Sequence, residues 1–236
     1  MLPSKADIKL IRSLSEKKFR EKNSLFVIEG KKLVQEAISS KYIIEKVFYT
    51  KDIGEELMSK MTLLSSPSPA LAVVRIPKRE ESISIDENSL YIALDAIRDP
   101  GNMGTIIRLA DWFGVAGIFA SEDCVDIYNP KVIQATMGSI FRVGFSYVDL
   151  KKLLVRASES ICIFGTYLEG ENIYSSTFPI GALIIMGSES RGISSELAPY
   201  ISNKIHIPSF AEAGRGSESL NVAVATAIVC SEFRRR

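Results

Sequence analysis

KIHIPSFAEAGRGSESLNVAVATAIVCSEFRRR, residues 204–236, is the stretch on which the reading of this chain turns. Lys204–Ile207 has the apolar, β-branched character of a short strand, Pro208 stops it, and a polar loop containing Gly214 and Gly216 runs to Ser217. From Leu220 to Cys230 almost every residue is apolar, so a helix there would be hydrophobic on every side and must be buried. Its first turn is the exception. Ser219 and Asn221 sit where backbone N–H groups are free, placed either to cap a core helix or to help receive an anion or a carboxylate or acyl oxygen.

Working outward, apolar runs alternate with helical patterns through the C-terminal two-thirds. Strands are expected at Tyr91–Asp95, Gly117–Ser121, Phe145–Val148, Ile161–Gly165, Ala182–Met186 and Lys204–Ile207. Helices are expected at Met103–Phe113, Pro130–Ile140, Leu150–Glu159, Ser194–Tyr200 and Ser219–Arg234, with Asn129 capping before Pro130. Such alternation predicts an α/β fold whose largely parallel sheet carries helices on both faces. The N-terminal part reads as a helix over Ile8–Lys22 followed by a β-α-β unit: strand Phe26–Ile28, helix Lys31–Ser39 and strand Val47–Tyr49. Leu64–Ala70 is a proline-stiffened turn into the strand Leu71–Val74, and the polar stretch Pro77–Asn88 is a linker.

The chain has 236 residues, 46% of them hydrophobic, enough to bury a sizeable core. Its formal charge of +1 says little, but the charge is uneven: residues 1–80 hold 16 Lys and Arg against 10 Asp and Glu, and residues 81–236 hold 13 against 18. A basic N-terminal part fits a polyanionic partner such as RNA, as it fits a plain solvated surface. Three cysteines in apolar surroundings, Cys124, Cys162 and Cys230, read as reduced core thiols of a cytoplasmic protein. His206, the only histidine, has no Cys or His partner nearby and reads as a core or structural residue, and no metal site is indicated. The N-terminus is charged and unlike a signal peptide, and no apolar run reaches the ~20 residues that cross a bilayer.

Chemistry concentrates where strands end in glycine. After the strand ending at Leu94, Asp95–Gly104 makes a tight turn that matches neither G-x-G-x-x-G nor a Walker loop, which disfavours a dinucleotide-dependent dehydrogenase. On the helix that follows, Ile106, Leu109, Ala110 and Phe113 form the core stripe, while Thr105, Arg108 and Trp112 share another face. Two further apolar strands end at Gly187 and at Gly165, where a ligand can approach the backbone closely.

Asn102-Met-Gly-Thr-Ile-Ile-Arg108, Gly187-Ser-Glu-Ser-Arg-Gly192, and Ser219-Leu-Asn-Val222 following Ile207-Pro208 resemble, in order, the three motifs of the SpoU/TrmH-type RNA ribose 2′-O-methyltransferases. Phe26–Leu33 resembles the substrate-binding domain frequent in that family, although Tyr49–Leu64 is shorter than the usual domain would have it. The resemblance implies a trefoil-knot α/β methyltransferase domain over 90–236, a linker over 79–89, and a small ribosomal-protein-like α/β domain for RNA over 1–78. It implies S-adenosylmethionine as cofactor, held by Thr166, Gly187, Ile207 and Leu220, with Asn102, Arg108, Glu189, Ser219 and Asn221 as catalytic and RNA-facing residues. The implied reaction moves a methyl group to a ribose 2′-hydroxyl of ribosomal or transfer RNA, with a catalytically silent RNA-binding module as the alternative. Arg108, oriented by Asn102 and Glu189, would grip an RNA phosphate whose oxygen helps take the proton, or would itself be the base. A homodimer is implied through the Trp112 helix and the C-terminal helix. The loop Ser209–Gly216 is longer than in many relatives.

Overall fold

The computed structural model describes residues 2–78, 84–211 and 218–235. Two compact units make up the chain: Met1–Arg79 together with Asp126–Arg142, and Glu80–Val125 together with Val143–Arg236.

The first unit opens with α1 (Lys5–Ser13), which Ser4 and Asp7 start with a reciprocal capping box, and α2 (Lys17–Asn23). Then follow β1 (Leu25–Glu29), α3 (Lys31–Ile38), β2 (Ile44–Tyr49), α4 (Thr50–Ile53), α5 (Glu55–Met61) and β3 (Ala70–Arg75). β3 lies between β1 and β2 and is antiparallel to both. The expected β-α-β unit is therefore present with its two strands held apart. Ala70–Val74 takes the centre because it is apolar on both faces and buried throughout, whereas β2 carries the exposed charges Glu45 and Lys46 and suits an edge. The short stretch after Tyr49 supplies α4 and α5, whose Ile53, Met58 and Met61 pack with Ile11, Leu14 and Leu71.

The second unit begins with β4 (Leu90–Leu94), α6 (Pro100–Trp112) and β5 (Gly117–Ala120). The chain then supplies α7 (Pro130–Thr136), inside the Asp126–Arg142 segment that belongs to the first unit. That segment is anchored by buried polar groups. Arg20, 2% exposed, donates to Asp126 Oδ2 from Nε and Nη2 at 2.9 and 2.6 Å and to the carbonyls of Leu14 and Ser15. Gln134 donates to the Glu29 carbonyl, and the Tyr128 ring stands 4.7 Å from that of Phe26. α7 stops short of the expected Ile140, because Met137 and Gly138 turn left-handed.

The remaining elements are β6 (Phe145–Tyr147), α8 (Leu150–Ala157), β7 (Cys162–Asn172), β8 (Ala182–Met186), β9 (Asn203–His206) and α9 (Val222–Arg234). The strands form one six-stranded sheet in the order β6-β5-β4-β8-β7-β9, every neighbouring pair parallel. Ser194–Tyr200 shrinks to a single 3-10 turn, since Pro199 lacks the N–H a longer helix needs. α9 packs beside α6, and Arg234 donates to the carbonyls of Phe113 and Gly114 just past the end of α6. The expected all-round burial of this helix fails on one side. Val222, Thr226, Val229 and Phe233 face inward, but Val224 is half-exposed, since none of the described residues covers that flank. Cys162 is likewise exposed, while Cys124 and Cys230 are buried. Among the described residues no helix is long and apolar enough to cross a membrane.

Candidate functional site

The sheet sets the position of the site. From β4 the chain builds outward in one direction through β5 and β6, and β8, β7 and β9 lie on the other side. At such a reversal the loops leaving the carboxyl ends of neighbouring strands diverge, and a crevice opens between them. β8 ends at Gly187, where a Cβ would stand 2.1 Å from the Gly192 carbonyl carbon, so no other residue lets the chain fold back this closely. Ser188 and Gly192 exchange backbone hydrogen bonds of 3.0 and 2.9 Å and close the loop that carries Glu189. Beside it, Thr166, within β7, donates to the Ile185 carbonyl at 3.1 Å, tying β7 to β8.

A cavity of about 650 Å³ opens at these strand ends. Thr166, Gly187, Ile207 and Leu220, the four residues expected to hold the cofactor, all line it, with Val222, Ala225 and Val229 of α9. Its volume falls in the range of small-molecule sites. The strand expected to end at Gly165 runs on to Asn172, so only β8 meets the cavity with a glycine at its end; backbone groups there, apolar walls and room for a nucleoside-sized body suit S-adenosylmethionine. Glu189 and Ser219 line the cavity as well, and both are exposed at its rim.

The polar side chains beside the cavity form one hydrogen-bonded chain. Asp99 caps α6 by accepting from the Asn102 N–H at 2.7 Å, which fixes the first turn of the helix. Asn102 Nδ2 donates to Glu189 Oε1 at 2.6 Å, and Asn221 Nδ2 donates to Asn102 Oδ1 at 2.9 Å. Asn221 Oδ1 accepts from Ala223 N and Val224 N at 3.0 and 3.3 Å and caps α9. Both amide orientations follow from the ends of the chain: a carboxylate only accepts and a backbone N–H only donates. The capping reading of Asn221 is thus realised, and two helix N–H groups are already satisfied.

Arg108 stands apart. Six residues beyond Asn102, it is turned about 240° around α6. It is exposed and has no hydrogen bond or ion pair among the described residues, so Asn102 and Glu189 bond each other and not Arg108. Its face is that of Trp112, which is 83% exposed. Three further residues enter the site that the sequence reading did not single out for it. Asp95, almost fully buried, accepts from Ser194 N at 2.6 Å and ties the end of β4 to the segment after β8. Asp99 before Pro100 was a legible helix start, obscured by Gly101 and Gly104. His206, expected in the core, is half-buried on the cavity wall.

Nucleophilic thiol chemistry does not fit the buried cysteines. Burial pushes Cys230 up to about 12 and also raises Cys124, so both stay protonated at neutral pH. No group of three His, Cys, Asp or Glu side chains among the described residues could hold a metal ion. Residues 212–217 of the long loop, and 79–83 of the expected linker, lie outside the described residues.

Comparison with known proteins meets the geometry at this point. The model of the SpoU rRNA Methylase family matches residues 89–231, and that of the MRM3-like substrate binding domain matches residues 5–87. The chain is 30% identical over 249 residues to the 23S rRNA (guanosine(2553)-2′-O)-methyltransferase RlmP of Bacillus subtilis, covering 94% of each protein. Its fold superposes with a TM-score of 0.88 on a putative RNA methyltransferase of the TrmH family from Porphyromonas gingivalis, at 34% identity over 100% of this chain and 99% of that one. An AdoMet-bound rRNA methyltransferase from Sinorhizobium meliloti gives a TM-score of 0.87 at 29% identity, over 100% and 97%. With its three motifs joined through Asn102 beside the cavity, the chain belongs to the SpoU rRNA methylase family.

Proposed function

We propose that this protein transfers a methyl group from S-adenosylmethionine to a ribose 2′-hydroxyl of ribosomal RNA. The observation that carries the reading is the chain Glu189–Asn102–Asn221, assembled from three separate motifs at the rim of the cavity lined by Thr166, Gly187, Ile207 and Leu220. The cofactor supplies an electrophilic methyl group when bound. A ribose hydroxyl is a weak nucleophile, so the protein must align it and ease the departure of its proton. Arg108 is exposed and has no partner among the described residues, so its role is to grip the RNA phosphate beside the target with its planar fork of donors and polarise the hydroxyl. Asn102 and Glu189 hold α6 and the loop after β8 in register, and Ser219 and Asn221 hold the segment entering α9. A silent RNA-binding module would have no need to keep every polar position of this chain filled.

The basic N-terminal unit serves as the RNA substrate-binding part, in keeping with its match to such a domain. Ribosomal RNA is favoured over transfer RNA because the relative matched over 94% of both chains is named for 23S rRNA. The protein acts in the cytoplasm as a homodimer. Support for the dimer is the apolar surface of neighbouring helices α6 and α9, where Trp112 and Val224 are 83% and 50% exposed.

The test is direct. Ribose methylation mapped across ribosomal and transfer RNA, with and without the gene, should lose one ribosomal site. Calorimetry should show S-adenosylmethionine binding that survives chelation of divalent metals. A transfer-RNA site lost in its place overturns the substrate, and no methylation change together with no cofactor binding overturns the reaction.

A further inference from the structure

Three cations of α1 lie on one side of the helix. Lys5, Lys9 and Arg12 are spaced i, i+4 and i+7, so they fall within about 60° of one another around the axis and span about 10 Å along it. Ile11 and Leu14, on the other side, are buried with Met58 and Met61 of α5. All three cations are exposed, and none has a side-chain hydrogen bond or ion pair among the described residues. Helix stability alone does not favour this arrangement. Lys5 and Lys9 repel as like charges one turn apart, and Lys5 stands in the first turn, where the helix dipole disfavours a cation.

The stripe leads into a cleft of about 480 Å³, in which Arg12 is the only charged side chain among the described residues. Ser59, Thr62 and Ser65 line it from α5 and the segment that follows. This wall is held by the buried carboxylate of Glu29, 3% exposed, which accepts from the Thr62 hydroxyl and the Leu63 N–H. The hydroxyls of Ser59 and Ser65 have no partner among the described residues. A guanidinium beside uncommitted hydroxyl donors, with no carboxylate lining the cleft, suits a phosphate oxygen. We propose that Lys5, Lys9 and Arg12 form a docking track for the phosphodiester backbone of the substrate RNA, with the cleft holding one phosphate between Arg12 and the hydroxyls of Ser59 and Ser65. The inference rests on the reading of the first unit as the RNA-binding part, and it names the surface that does the binding. Phosphate contacts set where an RNA lies without reading its sequence, so the track supplies affinity and register.

Two triple variants of equal net charge test it. One combines Lys5→Ala, Lys9→Ala and Arg12→Ala; the control combines Lys22→Ala, Lys41→Ala and Lys131→Ala, three exposed cations of the same unit off the stripe. The probe is deproteinised ribosomal RNA from cells lacking the gene, in filter binding across a salt series. At about 0.15 M salt the stripe variant should lose about tenfold or more in affinity, and its slope of log affinity against log salt should fall by about 2, while the control loses less than about threefold. Arg12→Glu alone, a change at one exposed position, should weaken binding by about tenfold, so the result does not hang on the triple variant. S-adenosylmethionine affinity by calorimetry and the melting temperature should match wild type in each variant. Unchanged RNA affinity in the stripe variant and in Arg12→Glu overturns the proposal, as does a loss that the control reproduces. A wild-type protein that binds S-adenosylmethionine but does not hold ribosomal RNA refutes the RNA-binding reading of the unit itself.

Discussion

Asn102 is where single-residue chemistry decides the site, because its amide donates to Glu189 and accepts from Asn221 at once. Asn102→Asp would put an acceptor against an acceptor at 2.6 Å, and the pair could persist only by sharing a proton. Single-turnover methyl transfer should fall by about a hundredfold or more, roughly 3 kcal/mol on the barrier, with a loss of only about 1 kcal/mol in stability since the contact is exposed. Arg108 gives the complementary case. As mere surface decoration, Arg108→Ala would cost a few tenths of a kcal/mol in stability and nothing in turnover. As the phosphate grip it should lose about a hundredfold in single-turnover rate at unchanged cofactor affinity, and Arg108→Lys should recover little because a point charge lacks the planar fork. Near-wild-type turnover in Arg108→Ala would remove the residue from the mechanism.

Elements respond differently, through backbone fit and pairing. Gly187→Ala forces a Cβ to within 2.1 Å of the Gly192 backbone, so the loop after β8 must open. We expect cofactor affinity to drop at least tenfold by calorimetry, with Glu189 displaced from Asn102; affinity equal to wild type would mean the loop does not shape the cavity. In the first unit, α1 is pinned by Asp7, whose carboxylate accepts from the Lys46 ammonium on β2 and from the Ser4 backbone and hydroxyl. These bonds, that of Lys46 foremost, hold its pKa down to about 2. A carboxylate with a lowered folded-state pKa stabilises the fold above its unfolded value near 4, and that contribution fades as pH falls from there toward 2. Asp7→Asn should therefore be less stable than wild type at pH 6, and the difference should shrink toward pH 2 in denaturant titrations. A difference independent of pH would show that the capping geometry, and not the charge, anchors the helix.

For the whole molecule, stability rests partly on a contact the chain makes with itself across 106 residues. Asp126 neutralises Arg20, which is 2% exposed and otherwise bonded only to carbonyls. Asp126→Ala leaves that guanidinium buried and uncompensated, and calorimetric unfolding should show a loss of roughly 3–5 kcal/mol. Trp112→Asp should leave the fold intact and convert the proposed dimer to a 26.0 kDa particle by light scattering, while a wild-type mass already at 26.0 kDa would defeat the dimer. The parallel sheet and the glycine that ends β8 were legible in the sequence, since fully buried strands read as apolar runs such as Ala182–Met186 and close backbone approach demands glycine at position 187, whereas the strand expected to end at Gly165 runs on to Asn172. So were the three polar motifs, because Asn102, Glu189 and Asn221 sit beside those turns. Only the tertiary structure decided that these three bond one another and that Asp126–Arg142 joins the N-terminal unit. Each depends on where segments 87 to 119 residues apart come to rest, and local periodicity carries no information about contacts at that separation.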